Sequence, residues 1–221
     1  MRSSKLNDVD RSILQRYVPK YGITIPAVSE KSVAVFLAAL YEDDLHTVMN
    51  YMSNPVYSKY YKYYLTMQKI VAMIFSTEAG ILTYEYIVDI YKLLFDVDRG
   101  SLPAVNKQYD YMIADACNKM DELITGKSKK CDIVIVSDVL YRYVNMRVSG
   151  NLPMDYIVGY IVVNYLMIYL GYTVLIPVYE ANDVLNSILL TDIDPRSVKS
   201  LIGKKILYGL DYANDVVYYG M

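Results

Sequence analysis

Cys131-Asp132-Ile133-Val134-Ile135-Val136 decides how the rest of the chain is read. The run is short, apolar and rich in β-branched residues. Charges bound it, Lys129 and Lys130 before and Asp138 after. A strand buried on both faces has this texture. Immediately upstream, Gly126-Lys127-Ser128-Lys129-Lys130 is the sharpest break in composition, a short, polar, basic linker. The expected fold is therefore α+β. A helical region covers 1–126 and a smaller α/β region with three to four strands covers 131–221. The linker is short enough for the two to share one core.

Upstream of the linker the apolar spacing is helical. Asn7 or Asp8 caps a short helix through Val18, which Pro19 ends. Ser29 caps the run from Glu30 to Leu40, and Glu42-Asp43-Asp44 opens a helix that reaches Met52. Asn54-Pro55 breaks the chain. In Val56 to Phe75, Tyr57, Tyr60, Tyr61 and Tyr64 recur at i, i+3, i+4 and i+7, and Met67 and Val71 continue the stripe. Thr83 caps a helix over Tyr84 to Phe95, and Ala104 to Ile124 is a further one.

Downstream, Asp138 to Val148 and Pro153 to Leu170 read as helices, the second stopped by Gly171. Tyr172 to Tyr179 reads as a second strand, at an edge or an end because Pro177 cannot donate to a ladder. Short helices follow over Asp183 to Leu190 and over Pro195 to Ile202, the latter stopped by Gly203. Lys205 to Tyr212 and Val216 to Tyr219 flank Ala213-Asn214-Asp215 as a terminal hairpin. No residue from Tyr156 to Tyr179 is charged, a length that approaches a membrane span. Asp155 and Glu180 bound it without basic anchors, so a buried helix and strand is the reading, and a membrane partner is not expected.

Composition removes several function classes. Lys plus Arg is 22 and Asp plus Glu is 24 in 221 residues, a net charge of -2, which gives no general hold on nucleic acid or an anionic membrane. One His and two Cys cannot build a Cys/His zinc cluster within one chain. A Ser-His-Asp triad would need His46, and no GxSxG turn accompanies it. Cys117 and Cys131 read as reduced, buried thiols, with a disulfide as the alternative in a hyperthermophile host. The polar start of the chain, Met1 to Arg11, lacks an apolar segment, so an intracellular site is expected, with a virion as the other setting. Tyrosine is the outlier, 26 against 3 Phe and 0 Trp. It joins a large apolar ring to a polar tip, and so suits both cores and adhesive surfaces. The mix, rich in Tyr, Val and Ile and poor in His and Trp, resembles that of proteins from viruses of hot-spring archaea, on composition alone.

Several residues could carry chemistry. Tyr57-Ser58-Lys59-Tyr60-Tyr61-Lys62-Tyr63-Tyr64 interleaves rings with cations, a pattern that stacks on single-stranded bases with Lys59 and Lys62 near phosphates. Its helical spacing equally fits a face packed on the bundle or on another subunit. Asp138 and Glu180 follow the two expected strands, where open α/β sheets bind ligands. With Asp192 and Asp194 they could hold Mg²⁺ or Mn²⁺ for phosphoryl chemistry, Lys204 or Lys205 stabilising the charge that develops. Asp138 fits a helix cap equally well, and Asp192 and Asp194 fit a turn before Pro195. Gly126-Lys127-Ser128 resembles the end of a phosphate loop, but a helix precedes it, and Asp121 stands where that pattern needs glycine.

The leading expectation is a non-enzymatic interaction or assembly protein that self-associates through tyrosine-rich surfaces, with no cofactor and with itself or another protein as partner. A metal-dependent phosphodiesterase or nuclease is the alternative, and a single-stranded nucleic-acid-binding module the second.

Overall fold

The computed structural model describes residues 29–41, 43–52, 54–56, 58–75, 82–128, 131–172, 174–178, 181–190 and 193–219. The helix expected between Asn7 and Val18 lies outside them. Among the described residues 77% are helical and none forms a β-strand. The helices are α1 (Glu30–Tyr41), α2 (Leu45–Tyr51), α3 (Ser58–Phe75), α4 (Tyr84–Phe95), α5 (Asn106–Ile124), α6 (Asp132–Asn145), α7 (Leu152–Tyr169), α8 (Ala181–Leu189) and α9 (Pro195–Asn214), followed by a π-helical turn, Asp215–Tyr219.

The expected α/β region is thus corrected at three places, two of them helix and one irregular backbone. Cys131 to Val136 is the cap and first turns of α6, not a strand. The apolar positions do not stop at Val136. Ile133, Val136, Leu140, Tyr143 and Val144 are all buried, at three- and four-residue spacing. A β-branched residue costs a helix no more than about 0.7 kcal/mol relative to Ala. Burying its side chain returns about 1.5–3 kcal/mol. Packing therefore overrides propensity. Asp132 in the first turn adds a favourable charge at the helix N-terminus, and its Oδ1 accepts the Ile133 N–H at 2.8 Å.

The second expected strand, Tyr172 to Tyr179, is a bend at Val174 followed by irregular backbone over 175–178 and pairs with no strand among the described residues. Side chains bind its backbone instead. The Leu175 N–H donates to Ser32 Oγ at 2.5 Å, and the Ile176 N–H donates to Asn164 Oδ1 at 2.6 Å. Asn164 Nδ2 donates back to the Ile176 carbonyl at 3.0 Å. A buried segment needs its polar groups satisfied, and here α1 and α7 provide the partners that a sheet otherwise would.

The terminal hairpin is the end of α9 and the π-helical turn. The helix begun at Pro195 runs on through Gly203 and Gly209, both buried against neighbouring elements. A Cβ on Gly203 would lie 3.4 Å from Ile133 Cγ2 of α6, and one on Gly209 would lie 3.1 Å from the Pro177 carbonyl. The first is an ordinary packing distance, whereas the second is tight, so Gly209 is where the missing side chain lets the 174–178 segment approach and offsets the cost of a mid-helix glycine, roughly 1 kcal/mol.

Elsewhere the helix starts fall where expected, although Thr83 precedes α4 without a side-chain cap hydrogen bond. Ser29 Oγ caps α1 through the Ser32 N–H (3.1 Å), Asp44 caps α2 through the Thr47 N–H (2.9 Å), and Asn151 caps α7 through the Met154 N–H (3.2 Å). α6 and α7 form the central pair. α5 and α9 pack on α6, and α3, α4 and α8 pack on α7. α1 bridges α3 and α9. α7 is apolar all round, and 78% of it is buried among the other helices. By length and composition alone it could cross a membrane.

Candidate functional site

The interleaved Tyr and Lys segment falls in the first turns of α3 and meets the end of α1. Tyr60 and Tyr63 are its buried rings, with Met67 one turn further on. Tyr61 and Tyr64 are half-buried, Lys62 is exposed, and Tyr57 lies outside the described residues. The interior face is therefore set by Tyr60, Tyr63 and Met67, rotated from the Tyr57–Tyr60–Tyr61–Tyr64 stripe. Tyr64 accepts from Gln68 Nε2 at 2.6 Å and donates to Glu30 Oε1 at 3.3 Å, which ties α3 to the start of α1.

Lys59 occupies a corner. Its Nζ lies 4.3 Å from the centroid of the Tyr41 ring and 4.5 Å from that of Tyr60. The two rings meet edge to face, with centroids 5.3 Å apart and planes at 76°. Asp43 closes the third side. Its Oδ2 accepts from Lys59 Nζ at 3.2 Å and from the Tyr60 hydroxyl. These hydrogen bonds, Tyr60 first and Lys59 second, hold the Asp43 carboxyl below its ordinary range. Burial pushes the Tyr41 hydroxyl up to about 12. Tyr63 backs the corner, its ring edge-on to Tyr41 at 5.5 Å. Tyr41 and Asp43 carry no motif. Only the fold, which brings the end of α1 against α3, reveals their role.

Of the four carboxylates proposed for a metal, Asp138 and Asp194 are among the described residues. Asp138 lies in the middle of α6, where its carboxylate is paired with Lys199 of α9 and with Arg142 at 3.6 Å. Arg142 also reaches Asp115 of α5 at 3.1 Å, and Asp115 pairs with Lys119. Asp194 precedes α9 and is exposed, and Lys204 is exposed on α9. Lys205 is buried and pairs with Asp183 at 3.4 Å. Glu180 and Asp192 lie outside the described residues. Among the described residues no three His, Cys, Asp or Glu side chains gather as a metal-binding group. His46 is exposed on α2. Cys117 is buried and Cys131 half-buried, both as free thiols. Burial pushes them up to about 11 and about 12, which keeps them in the unreactive thiol form at neutral pH.

A second polar cluster lies in the interior. Asp155, in the first turn of α7, is wholly buried. Its Oδ1 accepts from the Tyr91 hydroxyl (2.5 Å), the Ser149 hydroxyl (2.7 Å) and the Ser149 N–H (2.9 Å), while its Oδ2 has no partner among the described residues. The Tyr143 and Tyr91 hydroxyl oxygens are 3.0 Å apart, so α4, α6 and α7 meet in one network. The sequence signal was there to read. Asp155 is the acid at the edge of a long uncharged stretch, two residues after Pro153, and it reads as a boundary only while its neighbours are unknown.

A small cleft of about 220 Å³ opens between α3 and α4, lined by Thr66, Lys69, Tyr86, Asp89, Ile90 and Leu93 among others. On the surface, Tyr208 and Tyr212 stand one turn apart on α9, 40% and 49% exposed, and Lys204 lies one turn earlier on the same face. The chain matches no family model, no curated protein and no solved structure.

Proposed function

We propose that this chain is a non-enzymatic interaction protein that self-associates through tyrosine-bearing surface. The observation that carries the reading is the exposed pair Tyr208 and Tyr212 on one face of α9. Tyrosine is favoured at protein contacts because its ring buries a large area at low entropic cost while its hydroxyl finds a partner. The face also suits a second copy of itself. In an antiparallel pairing of two α9 helices centred on Tyr208, Lys204 of one copy comes opposite Tyr212 of the other, a cation over a ring. The half-buried Tyr61 of α3 offers a second, smaller contact.

Size-exclusion chromatography with light scattering across a concentration series tests the proposal. The wild-type chain is expected to gain mass with concentration. Tyr208→Ala with Tyr212→Ala is expected to shift that association to at least tenfold higher concentration, with the helical circular dichroism signal unchanged. A monomer at every concentration, or an oligomer indifferent to the double substitution, would overturn it.

A further inference from the structure

We propose that the corner formed by Tyr41, Tyr60 and Asp43 is a binding site for an alkylammonium group, occupied in this structure by the chain's own Lys59. Two ring faces at right angles and a carboxylate on the third side form the chemistry that recognises an aliphatic cation. The rings attract it through their quadrupoles, and the carboxylate supplies the counter-charge. Tyr51, with its ring centroid 6.4 Å from that of Tyr60, and Tyr63 behind Tyr41 extend the aromatic wall. The site faces solvent, since the side chains of Lys59 and Asp43 are 50% and 37% exposed. Lys59 sits there from its own helix, with its side chain half exposed to solvent. It is a tethered competitor. An incoming ammonium, such as a lysine or methylated lysine side chain of another molecule, meets the corner only when Lys59 leaves. The site stands independently of association through α9.

Removing the competitor tests this. The probe is tetramethylammonium chloride, with sodium chloride at equal ionic strength as the control, read by chemical shifts of the tyrosine ring protons. A tethered cation held by two rings and an ion pair raises the apparent dissociation constant roughly tenfold. Lys59→Ala is therefore expected to bind the probe about ten times more tightly than wild type. Tyr41→Leu placed in the Lys59→Ala background is expected to abolish the gain while circular dichroism shows the fold intact. Lys62→Ala removes the same charge from an exposed position three residues beyond Lys59, and should leave binding at the wild-type level. Equal binding by wild type and Lys59→Ala would overturn the proposal, as would an equal gain in Lys62→Ala. Association measured by light scattering should not change in Lys59→Ala, which separates this site from the α9 contact.

Discussion

Asn164 shows what one side chain does in this fold. From the middle of α7 it makes both hydrogen bonds that a neighbouring strand would make to Ile176, and it bonds its own helix at the Tyr160 carbonyl at 3.0 Å. The site is buried, out of reach of bulk water. Asn164→Ala leaves the Ile176 N–H and C=O unpaired, at a cost of roughly 2–4 kcal/mol. For a chain of this size, that is a fall in Tm of roughly 5–15 °C. A thermal melt of the variant measures it, and an unchanged Tm would mean that the 174–178 segment is held by something else. The same residue explains why the segment misled. Its apolar, β-branched composition is that of a strand, and what removes the strand is one amide and one hydroxyl, Asn164 and Ser32, the latter far away in sequence.

At the scale of elements, α5, α6 and α9 are laced together by alternating charges. Lys119 and Asp115 meet at 2.5 Å, Asp115 and Arg142 at 3.1 Å, Arg142 and Asp138 at 3.6 Å, and Asp138 pairs with Lys199, which also stands over the Tyr141 ring. The Lys119 hydrogen bond, and after it that from Arg142, holds the Asp115 carboxyl below its ordinary range. A carboxyl depressed in the folded state stabilises the fold above its unfolded value of about 4, and that contribution is lost as pH falls through the folded value. Asp115→Asn is therefore expected to cost about 1 kcal/mol at neutral pH. The difference from wild type should close as both are unfolded in urea at progressively lower pH below about 4. A gap that persists in acid would show that packing, not charge, makes the difference. Helices whose signals are local were legible. Ser29, Asp44 and Pro153 mark starts that the structure keeps. The C-terminal elements were not legible, because Gly203 reads as a helix stop yet lies inside α9, and the continuous apolar run to Val136 reads as a buried strand unless the spacing on to Leu140 and Tyr143 is followed. For the site, Lys59 and Tyr60 could be picked out from their interleaving. Tyr41 and Asp43 could not, because their role depends on a contact between helices.

For the whole molecule, tyrosine is the principal large core residue. Tyr91, Tyr109, Tyr143, Tyr156, Tyr160 and Tyr165 are each less than 2% exposed, and they sit on α4, α5, α6 and α7 on both sides of the 126–131 linker. With 3 Phe and no Trp, the interior depends on rings that each carry an ionisable hydroxyl. Burial raises the hydroxyls of Tyr91, Tyr109 and Tyr143 above their ordinary value of 10, with Asp155 adding to the shift at Tyr91. A hydroxyl raised in the folded state leaves stability whole below the unfolded value of about 10, and the stability drains away as pH climbs beyond it. The most direct test of a helical fold built around tyrosine is one alkaline titration followed by tyrosinate absorbance and far-ultraviolet circular dichroism together. The expected result is a strongly helical spectrum at neutral pH and a block of tyrosines that ionises in a single cooperative step above pH 10, coincident with loss of the helical signal. A strand-type spectrum at neutral pH, or tyrosines that all ionise in one smooth, non-cooperative titration while the helical signal persists, would contradict it.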